Sequence, residues 1–166
     1  KDKFPIVLLL EYSKINIATV PAIIKKIDIL MATYNGEKYL AEQIDSIICQ
    51  TYKNWNLLIR DDGSSDNTFK ILKEYEKKDD RIKIIKDKKG NLGIAKNFEE
   101  LLKISSSELI MFSDQDDYWM KNKIEKYIKV LEKLDKENLK NPLLIHSNSY
   151  VCDKNLNILK KKMKDL

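Results

Sequence analysis

Two acidic strings hold most of the chemistry available to this sequence. The first is DDGSSDNT, Asp61 to Thr68, in which two adjacent carboxylates follow an apolar run and precede a glycine turn. Adjacent carboxylates repel and gain nothing structural unless donors bind them, and a nucleotide base or a ribose carries suitable N–H and O–H groups. The second half of the string has a structural use, because Ser65 or Asp66 can accept hydrogen bonds from the free amides of a following helix, worth about 1 kcal/mol. The second string is SDQDDYW, Ser113 to Trp119, with three carboxylates within four residues. At neutral pH such a cluster is costly without a cation, and oxygen ligands without His or Cys suit a hard ion, Mg²⁺ or Mn²⁺. The alternation Asp114-Gln115-Asp116 lets two carboxylates aim at one ion that also holds a diphosphate and acts as a Lewis acid for its departure. A lone D-x-D is a weak signal, but one that shares a sheet end with D-D-G is much stronger.

The elements that must position these strings are legible as alternating apolar runs and helix-period segments beyond residue 26, the pattern of βαβ units around a mostly parallel sheet. Five strands are expected: Ile27 to Thr33, Trp55 to Asp61, Ile82 to Lys86, Glu108 to Ser113 and Leu143 to Ser147. Four helices lie between them, with apolar faces at Leu40, Ile44, Ile47 and Ile48; at Phe69, Leu72 and Tyr75; at Phe98, Leu101 and Leu102; and at Ile124, Tyr127, Ile128, Leu131 and Leu134. All four glycines, Gly36, Gly63, Gly90 and Gly93, fall in the loops after the first three strands. Ligands of open α/β sheets sit at that end. The expected fold is therefore α/β, a Rossmann-like sheet flanked by helices. Residues 1–26 show no clear period and are read as an unplaced arm, with a packing arm or an upstream strand as the alternatives; residues 27–166 are read as one domain.

Composition bounds the rest. A chain of 166 residues that is 43% hydrophobic and 34% charged can build one core. Cys49 and Cys152 lack metal-ligand spacing, and His146 alone cannot make a multi-histidine zinc site. The longest apolar run, Ile6 to Leu10, is far short of a membrane span and makes a poor signal-peptide core, so a cytoplasmic protein is expected. The net charge of +5 is carried by residues 121–166, which hold 12 Lys against 6 acidic residues. Only Arg60 and Arg81 are arginines, which argues against nucleic acid as a partner. The C-terminal lysines fit a solvated helical face, or a surface lying at the inner face of a membrane in peripheral association with anionic lipid.

Four motifs together resemble a known family. ILMATYNGEKYL (Ile29 to Leu40), RDDGSSDNT (Arg60 to Thr68), GNLGIAKN (Gly90 to Asn97) and FSDQDDYW (Phe112 to Trp119) stand in the order and spacing of the family 2 glycosyltransferases of the A-type fold. The likeness covers about residues 27–151 and is greatest to the bacterial rhamnosyltransferase-like branch, where a D-Q-D-D-x-W string is typical. The resemblance implies that Ala32, Thr33 and Tyr34 surround the base, with Tyr34 near a pyrimidine ring, and that Asp62 meets the base. It implies further that Lys96 faces the diphosphate and that Asp114 and Asp116 hold the ribose and the metal, Mn²⁺ or Mg²⁺. The activity implied is metal-dependent inverting transfer of sugar from a UDP- or dTDP-sugar to a saccharide or lipid-linked saccharide acceptor in cell-surface polysaccharide synthesis. The alternative is a module that binds nucleotide-sugar and metal without transfer. The family's general base comes from a motif downstream of the D-x-D strand, so the acceptor half is expected to be absent and the catalytic base is unassigned. His146 and Asp153 are the nearby candidates, against the plainer readings of a strand-end His and a turn Asp.

Overall fold

The computed structural model describes residues 7–10, 26–134, 143–147, 149–153 and 155–160. In chain order the elements are β1 (Val7–Leu10), β2 (Ile27–Thr33), α1 (Leu40–Ile48), β3 (Trp55–Asp61), α2 (Thr68–Lys78), β4 (Ile82–Ile84), α3 (Ile94–Ile104), β5 (Leu109–Asp114), α4 (Lys123–Glu132), β6 (Leu144–His146), β7 (Val151–Cys152) and β8 (Ile158–Lys160). The first six strands in sheet order are β4-β3-β2-β5-β1-β6; β7 and β8 make a separate antiparallel pair. Strands β4, β3, β2 and β5 are mutually parallel.

Strand β2 is central because its side chains are apolar on both faces. Ile27, Ile29 and Met31 pack with Leu40, Ile44 and Ile47 of α1, Leu72 of α2 and Ile124, Tyr127 and Ile128 of α4. Leu30 faces the other way, with Leu58, Ile110 and Leu101 of α3. A strand buried on both faces reads as a near-continuous apolar run, which is how IDILMAT reads. The register matters for function: Thr33 lies opposite Asp61, and Ala32 opposite both Arg60 and Asp114. The carboxyl ends of β2, β3 and β5 are therefore level, and both acidic strings leave the sheet at one rim.

Three strand expectations need correction at their ends. β4 stops at Ile84, because after the Ile85 amide bonds to Ile59 the chain turns to bring Asp87 onto Arg60. β5 is shifted by one residue, so Asp114 is its last member, in the ladder beside Ala32. β6 is the three residues Leu144–His146, at the sheet edge. Part of the unplaced arm is a strand: Val7–Leu10 runs antiparallel between β5 and β6, with Leu8 opposite Met111 and Ile145. The rest of that arm, residues 1–6 and 11–25, lies outside the described residues.

Candidate functional site

The loop after β2 and the loop after β3 are joined by hydrogen bonds that account for most of the Ser/Asp string. Asp61 Oδ1 accepts from the hydroxyls of Thr33 (2.9 Å) and Ser64 (2.6 Å), and Oδ2 from the Ser64 amide (2.9 Å). Asn35 takes a positive φ of 47°; its amide donates to Ser64 Oγ, and its Oδ1 accepts from the Ser65 amide. The Gly36 amide donates to Thr68 Oγ1, and Glu37 accepts from the Asn67 amide and side chain. Asp66, one residue ahead of the Asn67 N-cap, accepts from the Thr68 amide at the start of α2, and its other oxygen accepts from the Glu37 amide. Ser65 does not cap; it binds Asn35. The result is a firm ledge from which Tyr34 projects, 52% exposed. Ala32 is half-buried and Thr33 buried beneath it.

Asp62, the residue expected to meet the base, is held by the fold on one side. Its side chain is 3% exposed, and both carboxylate oxygens accept hydrogen bonds: Oδ1 from Arg60 Nη1 (2.7 Å) and the Leu92 amide (2.8 Å), Oδ2 from the Gly93 amide (2.8 Å). Gly93 has φ 77°, a left-handed conformation that glycine takes without strain, where it aims its N–H at Asp62 and opens α3. Burial pulls the Asp62 carboxyl upward, but the Leu92 and Gly93 amides and the Arg60 guanidinium outweigh it and hold it below the usual carboxylate range. Arg60 is itself buried and uses all five of its donors, on Asp87 twice, Asp62, Asn97 Oδ1 and the Gly90 carbonyl. This node builds the 87–93 loop, and the more exposed carboxylate of the pair is that of Asp61. A cleft of about 270 Å³ opens beside it, lined by Asp61, Gly63, Phe69, Ile85 and Lys86, with Arg60 at its floor.

The other acidic string is held by α1 and by Gln50 just beyond its end. Gln43 Nε2 donates to Ser113 Oγ (2.7 Å), Ser46 Oγ accepts from the Trp119 amide (3.0 Å), and Gln50 bridges the Met120 carbonyl and the Ile124 amide. Trp119 is buried as the anchor of the loop. Lys123 lays its ammonium over the rings of Trp119 and Tyr127, at 5.0 and 5.8 Å from their centroids. Between these fixings the loop presents half-buried Asp114, half-buried Gln115 and exposed Asp116. Gln115 reaches back across the rim: its Oε1 accepts from the Tyr34 amide (2.9 Å), and its Nε2 donates to the Tyr34 carbonyl (3.0 Å).

No group of three or more His, Cys, Asp or Glu side chains converges on one point among the described residues. Two carboxylates at a strand end nonetheless fit Mg²⁺ or Mn²⁺, since such ions are commonly held by one or two carboxylates with substrate phosphates and water completing the shell. Lys96 is exposed on the first turn of α3, three residues after Gly93. His146 is exposed on edge strand β6, and Asp153 accepts from the amides of Asn155 and Asn157 and the Asn157 side chain. These bonds account for Asp153 as a turn residue. Arg60, Gln115 and the buried polar face of α1 are what the sequence reading missed. Arg60 had a signal, since a chain this rich in Lys keeps Arg where a forked, multi-donor cation is needed.

The family model for glycosyl transferase family 2 matches residues 28–140. Among curated relatives, the chain is 44% identical over 110 residues to the UDP-Glc:alpha-D-GlcNAc-diphosphoundecaprenol beta-1,3-glucosyltransferase WfgD of Escherichia coli, covering 64% of this chain and 41% of that one. It is 41% identical over 105 residues to the dTDP-rhamnosyl transferase RfbG of Shigella flexneri, covering 61% of this chain and 36% of that one. Among solved structures, S. aureus TarS 1-349 in complex with UDP-GlcNAc superposes with a TM-score of 0.60 at 28% identity, over 65% of this chain and 31% of that one. The chain thus spans less than half the length of these curated relatives. No helix among the described residues is long and apolar enough to cross a membrane.

Proposed function

The chain belongs to glycosyl transferase family 2, and from that premise we propose that it binds the nucleotide diphosphate of a UDP- or dTDP-sugar together with Mn²⁺ or Mg²⁺. The observation that carries the reading is the level rim: Tyr34 exposed on a ledge, Asp61 beside it at the end of β3, and Asp114 two strands away on β5, all facing the carboxyl end of one parallel sheet. In this reading the exposed ring of Tyr34 stacks on the pyrimidine, with Ala32 and Thr33 forming the floor. Asp62, whose Oδ2 accepts a single hydrogen bond, meets the imide N–H that uracil and thymine share, with Asp61 beside it at the rim. Lys96 stands toward the diphosphate. Asp114 and Asp116 hold the cation, which when bound neutralises charge on the departing diphosphate.

The reaction proposed for the whole protein is inverting transfer of the sugar to a saccharide or lipid-linked saccharide in cell-surface polysaccharide synthesis. The likeness to WfgD, with its diphosphoundecaprenol-linked acceptor, supports this class of acceptor; the likeness to RfbG supports a dTDP-sugar and the rhamnosyltransferase-like branch. The test is a thermal-shift panel of UDP, dTDP, GDP and CMP, each with Mn²⁺ and with chelator. UDP or dTDP with Mn²⁺ raises the melting temperature, by linkage worth about 2.7 kcal/mol at a hundredfold excess over Kd. Stabilisation by GDP alone defeats the pyrimidine assignment.

A further inference from the structure

The residue between the two metal carboxylates belongs physically to the base ledge. Gln115 offers its amide edge to Tyr34 as a neighbouring strand would, accepting from the backbone N–H and donating to the backbone carbonyl of one residue. The space for it is made by a glycine: a β-carbon at residue 36 would stand 2.3 Å from Oε1 and 2.6 Å from Cδ of Gln115. Gly36 carries no positive φ, so its small size, rather than its backbone freedom, is what the position uses. On one side of Gln115, Asp114 is fixed in the sheet ladder opposite Ala32; on the other, the loop is tied down where the Trp119 amide bonds to Ser46. The peptide between the carboxylates is thus held by the residue that carries the aromatic platform.

We propose that Gln115 is a positioning residue that makes the Tyr34 platform and the Asp114/Asp116 pair one unit, so that occupying either changes the other's affinity. The proposal rests on the nucleotide and metal reading above, and uridine is the probe that isolates it. Uridine has no phosphate to touch the ion, so its effect on Mn²⁺ affinity runs either through its ribose at Asp114 and Asp116 or through the Gln115 bridge; only the second is lost in Gln115→Met, and the effect must be reciprocal. Mn²⁺ binding is followed by the paramagnetic resonance signal of the free ion, with and without saturating uridine, in the wild-type chain and in Gln115→Met, which keeps the volume and removes both hydrogen bonds.

The expected result is a linkage of at least about fivefold in the wild type, near the low end of ordinary coupling, that falls to none in Gln115→Met. The Tyr34 amide should also exchange its hydrogen faster in that variant. Gly36→Ala, which displaces Gln115 from the other side, should abolish the linkage equally. A linkage retained in Gln115→Met, or a wild type that binds uridine and Mn²⁺ independently, overturns the proposal. A wild type that binds neither UDP nor uridine, with or without Mn²⁺, removes the nucleotide reading itself, and this proposal with it.

Discussion

Asp62 and Arg60 set the energetic terms at the scale of single residues. A buried ion pair is weak evidence of net stability, but breaking one leaves an uncompensated charge and typically costs about 3–5 kcal/mol. Asp87 still pairs Arg60 when Asp62 is removed, so Asp62→Ala should lower stability in urea denaturation by less than that, about 1–3 kcal/mol, for leaving the Leu92 and Gly93 amides and one Arg60 donor without their acceptor. The hydrogen bonds of Arg60 hold Asp87 below the usual carboxylate range, as Arg60 and the loop amides hold Asp62. The unfolded carboxyl titrates at about 3.9, so both groups contribute fully above about pH 5 and lose that contribution as pH falls below about 4 through their folded values. Stability measured from pH 6 to pH 2 should fall less steeply in an Asp62→Asn, Asp87→Asn double variant than in the wild type. Asp116 behaves oppositely: as an exposed residue it should tolerate Asp116→Ala within about 0.5 kcal/mol of stability, while the metal-dependent part of UDP binding is lost. Unchanged UDP–Mn²⁺ binding by that variant would make the acidic string structural. The residue types of the site were legible, but which member of the Asp61–Asp62 pair faces outward was not. That choice depends on Arg60, Leu92 and Gly93, which meet Asp62 only after the chain has crossed to β4 and back.

Helix α1 joins packing to function at the scale of elements. Its apolar stripe of Leu40, Ile44 and Ile47 was legible from 3.6-residue spacing, and it packs on β2 as the period requires. Gln43 and Ser46 share the buried side, and Gln50 is buried just beyond the helix end, yet all three look like solvent-facing residues in sequence, because their partners lie about seventy residues downstream in the 113–124 segment. Gln50→Leu leaves the Ile124 amide and the Met120 carbonyl without the Gln50 side chain and should cost about 1–3 kcal/mol. It should also weaken UDP–Mn²⁺ binding, though Gln50 is not itself among the proposed ligands, because it loosens the base of the acidic loop; calorimetry on the folded variant checks this. Strand β1, one of the two alternatives for the arm, was legible only in part for a related reason. Val7–Leu10 is a short apolar run with no punctuating turn, and its partner Leu109–Met111 is a hundred residues away, so no local pattern announces the pairing.

For the molecule as a whole, the parallel sheet, the order of its helices and the end of the sheet that carries the site all follow from apolar periodicity and the placement of glycines after strands. Tertiary contacts between distant loops decided the rest: the Asn35–Ser65 ledge, the five-bond Arg60 node and the Gln115 bridge. The register of β2, β3 and β5 brings the two acidic strings to one rim and these contacts fix the loops there; the central claim is that this rim binds a pyrimidine nucleoside diphosphate through a divalent cation. Isothermal titration of UDP into this chain, in Mn²⁺ and again in EDTA, tests it most directly. The account predicts one-to-one binding in Mn²⁺ that weakens at least tenfold in EDTA, a difference of about 1.4 kcal/mol. Equal affinity in the two buffers, or no heat in either, would contradict it.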